Sequence, residues 1–134
     1  MFKLTESLAK KLNDETPKAT QAIKEKSDIR IIMQHLEQIS LVARVNAEVS
    51  DDPESRFVSF VLDSINSVIE SRYRNKRDEW FRLNQPTFEN MLPSFAIYVE
   101  NVSNALLAGS FNNAINASKD FFVATWKQIS MITD

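Results

Sequence analysis

Leu106-Leu107-Ala108-Gly109-Ser110-Phe111 is the stretch that decides the fold. It holds the only glycine among 134 residues. Gly109 sits just past an apolar helical pattern, where a left-handed C-terminal residue is wanted. Ser110 follows as an N-cap for the next helix. Sheets use glycine at hairpins and bulges, and phosphate-binding loops use it where backbone must approach a ligand. A chain with one glycine reads as helices joined by short polar turns.

Upstream of Gly109, Phe88, Met91, Leu92, Phe95, Val99, Val102 and Leu106 share one helical face. Pro93 falls inside that pattern and predicts a kink or a restart. Gln85-Pro86-Thr87 reads as the turn that opens this helix. Downstream, Phe111, Ala114, Ile115, Phe121, Phe122, Trp126, Ile129 and Ile132 give the last helix a heavy aromatic face.

Further back, Ser50-Asp51-Asp52-Pro53-Glu54 is the cleanest boundary. Asp52 can accept from orphan amides, Pro53 fits the first turn, and Glu54 suits the positive end of the dipole. Val58, Val61, Leu62, Ile65, Val68, Ile69 and Tyr73 continue in helical phase, which carries on to Trp80 and Leu83. A helix from Pro53 to Asn84 would span roughly 48 Å at 1.5 Å per residue. It either projects from the bundle or breaks near Asn75. Ile29, Ile32, Met33, Leu36, Ile39 and Ala43 predict a helix over 28–48, with a second row through Ile31, Gln38, Val42, Val45 and Val49. Ser27-Asp28 either restarts the helix there or lies on its solvent face. Leu4, Leu8 and Leu12 mark a short first helix. Asn13-Asp14-Glu15 reads as a polar break, and Thr16-Pro17 as N-cap plus first helical residue.

The expected architecture is therefore all-α: an antiparallel up-down bundle of four main helices plus a short N-terminal helix, in one domain over 1–134. No leader-like apolar run opens the sequence and no membrane-spanning stretch occurs in it. The absence of cysteine rules out disulfides and thiolate metal sites and suits a reducing compartment. A cytoplasmic location is the expectation.

Charge is uneven along the chain. Of 16 Lys and Arg, fourteen lie before Asn84, and Lys119 and Lys127 are the only two after it. The last third carries only Glu89, Glu100, Asp120 and Asp134 as acids. It holds Asn90, Asn101, Asn104, Asn112, Asn113 and Asn116 instead. Charged residues are the ones least often fully buried. A segment that avoids them is expected either at the centre of the bundle or beneath a partner.

Catalytic patterns are missing. His35 is the lone histidine, too few for a bundle-type dimetal centre, and it is read as structural or solvent-facing. No nucleophile elbow, phosphate loop or dinucleotide fingerprint occurs. Asp51-Asp52 reads as a cap and Asp78-Glu79 as ion-paired among arginines. Neither an enzyme, a cofactor, a metal nor a small-molecule substrate is expected. Asn101-Val102-Ser103 and Asn116-Ala117-Ser118 match the glycosylation pattern by chance, since both fall inside helices.

Two surfaces remain. The neutral, aromatic C-terminal helices suggest protein-protein association, with the chain itself as partner, through Tyr98, Phe121 and Trp126. Such a chain would serve as an assembly subunit, adaptor or inhibitor. The alternative is nucleic-acid binding by the basic-aromatic segment holding Arg72, Arg74, Lys76, Arg77 and Arg82, with Tyr73, Trp80 and Phe81 available to stack bases. Reversible membrane contact by the last helix ranks below both, because only Lys119 and Lys127 could face lipid headgroups.

Overall fold

The computed structural model of the chain describes residues 2–73 and 78–129. The described residues are helical with no strand, in five helices: α1 Glu6–Lys24, α2 Ile29–Ser50, α3 Pro53–Tyr73, α4 Asp78–Ala108 and α5 Phe111–Ile129.

The expected short N-terminal helix is a correction. Helix α1 runs unbroken through Asn13-Asp14-Glu15 and Pro17 for 19 residues. Thr16 is not a cap. Its Oγ1 donates back to the Leu12 carbonyl at 2.9 Å and meets Ser103 Oγ of α4 at 2.8 Å. The polar run is simply the solvent face, while Leu12, Ala19 and Ile23 are buried behind it.

Helix α4 carries a second correction. Gln85-Pro86-Thr87 is not a turn, because α4 passes through both Pro86 and Pro93 for 31 residues. A helical proline leaves the carbonyl four residues back without its amide partner. Pro17, Pro86 and Pro93 are all exposed, and of the residues four back Asn13 and Arg82 are exposed and Glu89 is half-buried. Water can replace the missing donor there, which is why neither helix ends. Over 53–84, read as one projecting helix or as a helix broken near Asn75, the structure describes α3 to Tyr73 and α4 from Asp78, with 74–77 outside the described residues.

The other boundaries follow from local chemistry. Thr5 caps α1 by accepting from the Leu8 amide at 3.3 Å. Lys26 ends α1 with a left-handed φ of 54°, and the Ser27 amide reaches the Ala22 carbonyl at 3.0 Å in a Schellman-type closure. Asp28 restarts the chain by accepting from the Arg30 amide at 2.8 Å. Asp52 accepts from both the amide and the hydroxyl of Ser55, at 3.3 and 3.1 Å. Gly109 has φ +69° and Ser110 Oγ accepts from the Asn113 amide at 3.3 Å.

The helices pack around one apolar core. Helix α1 touches α2 and α4, α2 touches α3, and α5 lies against α3 and α4. The start of α1 meets the end of α2, where the Thr5 amide donates to Asn46 Oδ1 at 3.2 Å. Late α3 meets early α2, where Asn66 Nδ2 donates to the Leu36 carbonyl at 3.4 Å and to Ser40 Oγ. The starts of α3 and α5 lie together, with the rings of Phe57 and Phe111 at 6.0 Å. Leu36, Ile39, Leu62, Ile65, Val99, Val102 and Phe121 meet around a half-open pocket of about 20 Å³, room for one water, that Ser40 and Asn66 also line.

An extended N-terminal segment closes one end. Phe2 is buried and its amide donates to Glu54 Oε1 at 2.9 Å. Fully buried Asn46 holds the same segment by donating to the Lys3 carbonyl at 3.2 Å. A Cβ on Gly109 would lie 3.5 Å from the Phe2 carbonyl oxygen, so the segment also crosses the α4–α5 turn.

Candidate protein-protein interface

Helix α4 has two unlike faces. Inward, Val99, Val102, Ala105 and Leu106 are buried. Outward, Leu83, Pro86, Asn90, Pro93, Ile97, Asn101 and Asn104 are exposed. Their spacings of three and four put them in one stripe. No charge interrupts it between Leu83 and Asn104, and exposed Glu79 ends it one turn before Leu83. Leu83 is 62 % exposed and Ile97 is 59 % exposed, at opposite ends of the run. Arg82 and Glu100, both exposed, lie at its edge.

Helix α5 adds a smaller apolar group. Trp126 is 56 % exposed and stacks on Phe122, with ring centroids 6.2 Å apart and planes inclined by 19°. Val123 is exposed beside them, and exposed Lys119 and Asp120 separate this group from Asn112, Asn113 and Asn116 near the turn.

The charge-poor C-terminal third is thus not confined to the centre of the bundle. Its inner side is core and its outer side is bare.

The residues singled out from sequence fare differently. Trp126 is exposed. Tyr98 is half-buried against the core. Phe121 is only 5 % exposed and belongs to the core, so its ring is not available at the surface. Its neighbour Phe122 takes the outward position. Leu83, placed by phase on the core side, points outward instead. Leu83 and Ile97 were legible as members of a second row on α4, and reading Pro86 as a turn hid that row.

A third exposed apolar group lies at the α2–α3 turn. Val49, Phe57 and Phe60 are exposed there. Phe60 borders a groove lined by Arg44, Ala47, Glu48, Arg56 and Asp63. This patch is mixed with charge, unlike α4. Burial raises the Asp63 carboxyl above its ordinary range, and Arg44 partly offsets the rise. Arg56 pairs with Asp51.

Of the basic-aromatic segment, Arg74, Lys76 and Arg77 lie outside the described residues, and Arg72 is placed only as part of α3. Arg82 is exposed on α4. His35 is half-buried on α2. Among the described residues, no three His, Asp or Glu side chains converge as a metal site would require. No described helix is long and apolar enough to cross a membrane. Ser103 and Ser118, the hydroxyls of the two glycosylation-like triplets, are buried, and Ser118 donates to the Ala114 carbonyl at 2.7 Å.

Comparison with protein families, with curated proteins and with solved structures finds no match.

Proposed function

We propose that this chain is a non-enzymatic up-and-down helical bundle that works by self-association through its C-terminal helices. The supporting observation is the uncharged outer stripe of α4, with Leu83 and Ile97 about three-fifths exposed. An exposed run without charge that carries Leu83, Pro86, Pro93 and Ile97 supports reading this face as an interaction site. A surface without charge is poorly suited to steering a charged partner and well suited to a self-complementary contact, because homodimer interfaces are the more apolar class. A cysteine-free chain of this kind fits the cytoplasm.

Magnitudes set the regime. Covering the remaining area of Leu83 and Ile97 on two copies is worth roughly 4–8 kcal/mol. Association costs about 4–15 kcal/mol in lost freedom. Leu83 and Ile97 by themselves thus do little more than offset the association cost, and a micromolar dimer requires that the rest of the stripe, Pro86 and Pro93 included, is covered as well.

A light-scattering series from low to high micromolar chain tests the reading. Mass should rise with concentration in the natural chain and stay monomeric in the Leu83→Asp/Ile97→Asp double variant. A natural chain that stays monomeric throughout sinks it. Binding of a fluorescent oligonucleotide at low salt, lost on Arg82→Ala, would favour the nucleic-acid alternative instead.

A further inference from the structure

The outer stripe of α4 has a palindromic chemistry. Counted from Asn90, Leu83 lies seven residues before and Ile97 seven after. Pro86 lies four before and Pro93 three after. Apolar, proline, asparagine, proline, apolar is the order in both directions. All five residues are exposed. The charged edge completes the pattern, with Arg82 eight residues before the centre and Glu100 ten after. At 100° per residue both fall on the same flank of the helix.

A two-fold contact requires that residue i meet j while j meets i. Resting on the self-association reading, we infer that the occupant of this stripe is α4 of a second copy, running antiparallel, with the two-fold axis at Asn90. Leu83 then packs beside Ile97 of the second copy, and Pro86 beside its Pro93. The two Asn90 amides face each other and can exchange a hydrogen bond, since an amide both donates and accepts. Arg82 lies about 12 Å from the axis and Glu100 of the second copy about 15 Å on the same side, at 1.5 Å per residue. A mismatch of about 3 Å is within reach of two long side chains, and the same-flank placement puts the opposite charges together at both ends. A parallel pairing would put the two Arg82 side chains on opposite flanks and leave each about 27 Å along the axis from the nearest Glu100, at 1.5 Å per residue, so the opposite charges would not meet.

The cysteine-free chain allows a clean probe. Asn90→Cys places a thiol at the axis, and Asn116→Cys, on exposed α5, serves as the control. Mild oxidation should link the Asn90→Cys chains into a disulfide dimer and leave the control largely unlinked. Arg82→Glu and Glu100→Arg should each weaken the dimer about ten-fold or more, through like charges at both ends, and the two together should restore it. If mass still rises with concentration but Asn90→Cys does not cross-link and the double reversal does not rescue, the antiparallel geometry is wrong while self-association stands. A natural chain that is monomeric at every concentration overturns both.

Discussion

Helices α1 and α4 pack against each other and build the same core, yet their outer faces are opposites. Inward, α1 contributes Leu12, Ala19 and Ile23, and α4 contributes Val99, Val102 and Leu106. Both carry exposed prolines without ending. Outward, α1 shows Glu6, Lys10, Lys11, Asp14 and Lys18, whereas α4 shows Leu83, Pro86, Asn90, Pro93 and Ile97. The fold needs only the inward halves. A solvated helix is best served by charge on its wet side, and α1 follows that rule. The departure of α4 has no use within the monomer, so it points to a contact outside it.

The largest effect should come from placing charge on the bare stripe. Ile97→Asp should weaken self-association at least about a hundred-fold, with an aspartate forced into an apolar contact, while Lys11→Asp on α1 should leave it unchanged. Sedimentation velocity on the two variants measures this contrast. Equal effects would remove the distinction between the faces.

Next in size is the inner face. Leu106→Ala should cost about 2–5 kcal/mol of stability by opening a cavity, whereas Leu83→Ala should cost well under about 1 kcal/mol in dilute, monomeric protein. Urea unfolding compares them. A similar loss for Leu83→Ala would mean that it supports the monomer core.

A smaller effect is expected at the prolines. Pro17→Ala should raise stability by about 1–3 kcal/mol, because it restores an amide and removes a ring clash. Pro93→Ala should do the same in the monomer but also weaken the dimer, since its ring lies in the stripe. Thermal melts at low and high concentration separate the two contributions.

The smallest effects sit at the α1–α2 junction. Lys26→Gly should add roughly 0.5–1 kcal/mol by relieving a left-handed φ. The hydrogen-bonded guanidinium of Arg30 holds the Asp28 carboxyl below its ordinary range, against a smaller opposing push from burial. A depressed carboxyl stabilises above the unfolded value near 4 and loses that contribution as pH falls through the folded value. The stability advantage of natural Asp28 over Asp28→Asn should therefore shrink below about pH 4. Denaturation midpoints at descending pH would show it, and a constant gap would contradict the assignment.

Much of this was readable in advance where the cause is local. The Gly109-Ser110 turn and the Asp52 cap each rest on a few neighbouring residues, and the structure shows both. The buried stripes Ile32, Met33, Leu36 and Ile39, and Val58, Leu62 and Ile65, also lie where their periodicity puts them. The misreadings all involve residues whose meaning depends on direction. Thr16-Pro17 and Pro86 carry the signature of a helix start. They sit inside helices because their rings face water and the opposite face continues into the core. Phe121 and Phe122 are adjacent in sequence and equally apolar, yet only Phe121 turns inward. Nothing in the string foretold the docking of the N-terminal segment, since Glu54 and Gly109 against Phe2, and Asn46 against Lys3, are all more than forty positions away.

By itself, the amino-acid order determined that this is a helical protein with short capped connections and a neutral C-terminal third. Those properties follow from glycine scarcity, apolar spacing and side chains that bond their own backbone. Only the tertiary structure decided which apolar row of α4 is core and which is bare. Rows on two sides of a helix have the same periodicity, and a row is buried only where a neighbouring helix comes to lie against it.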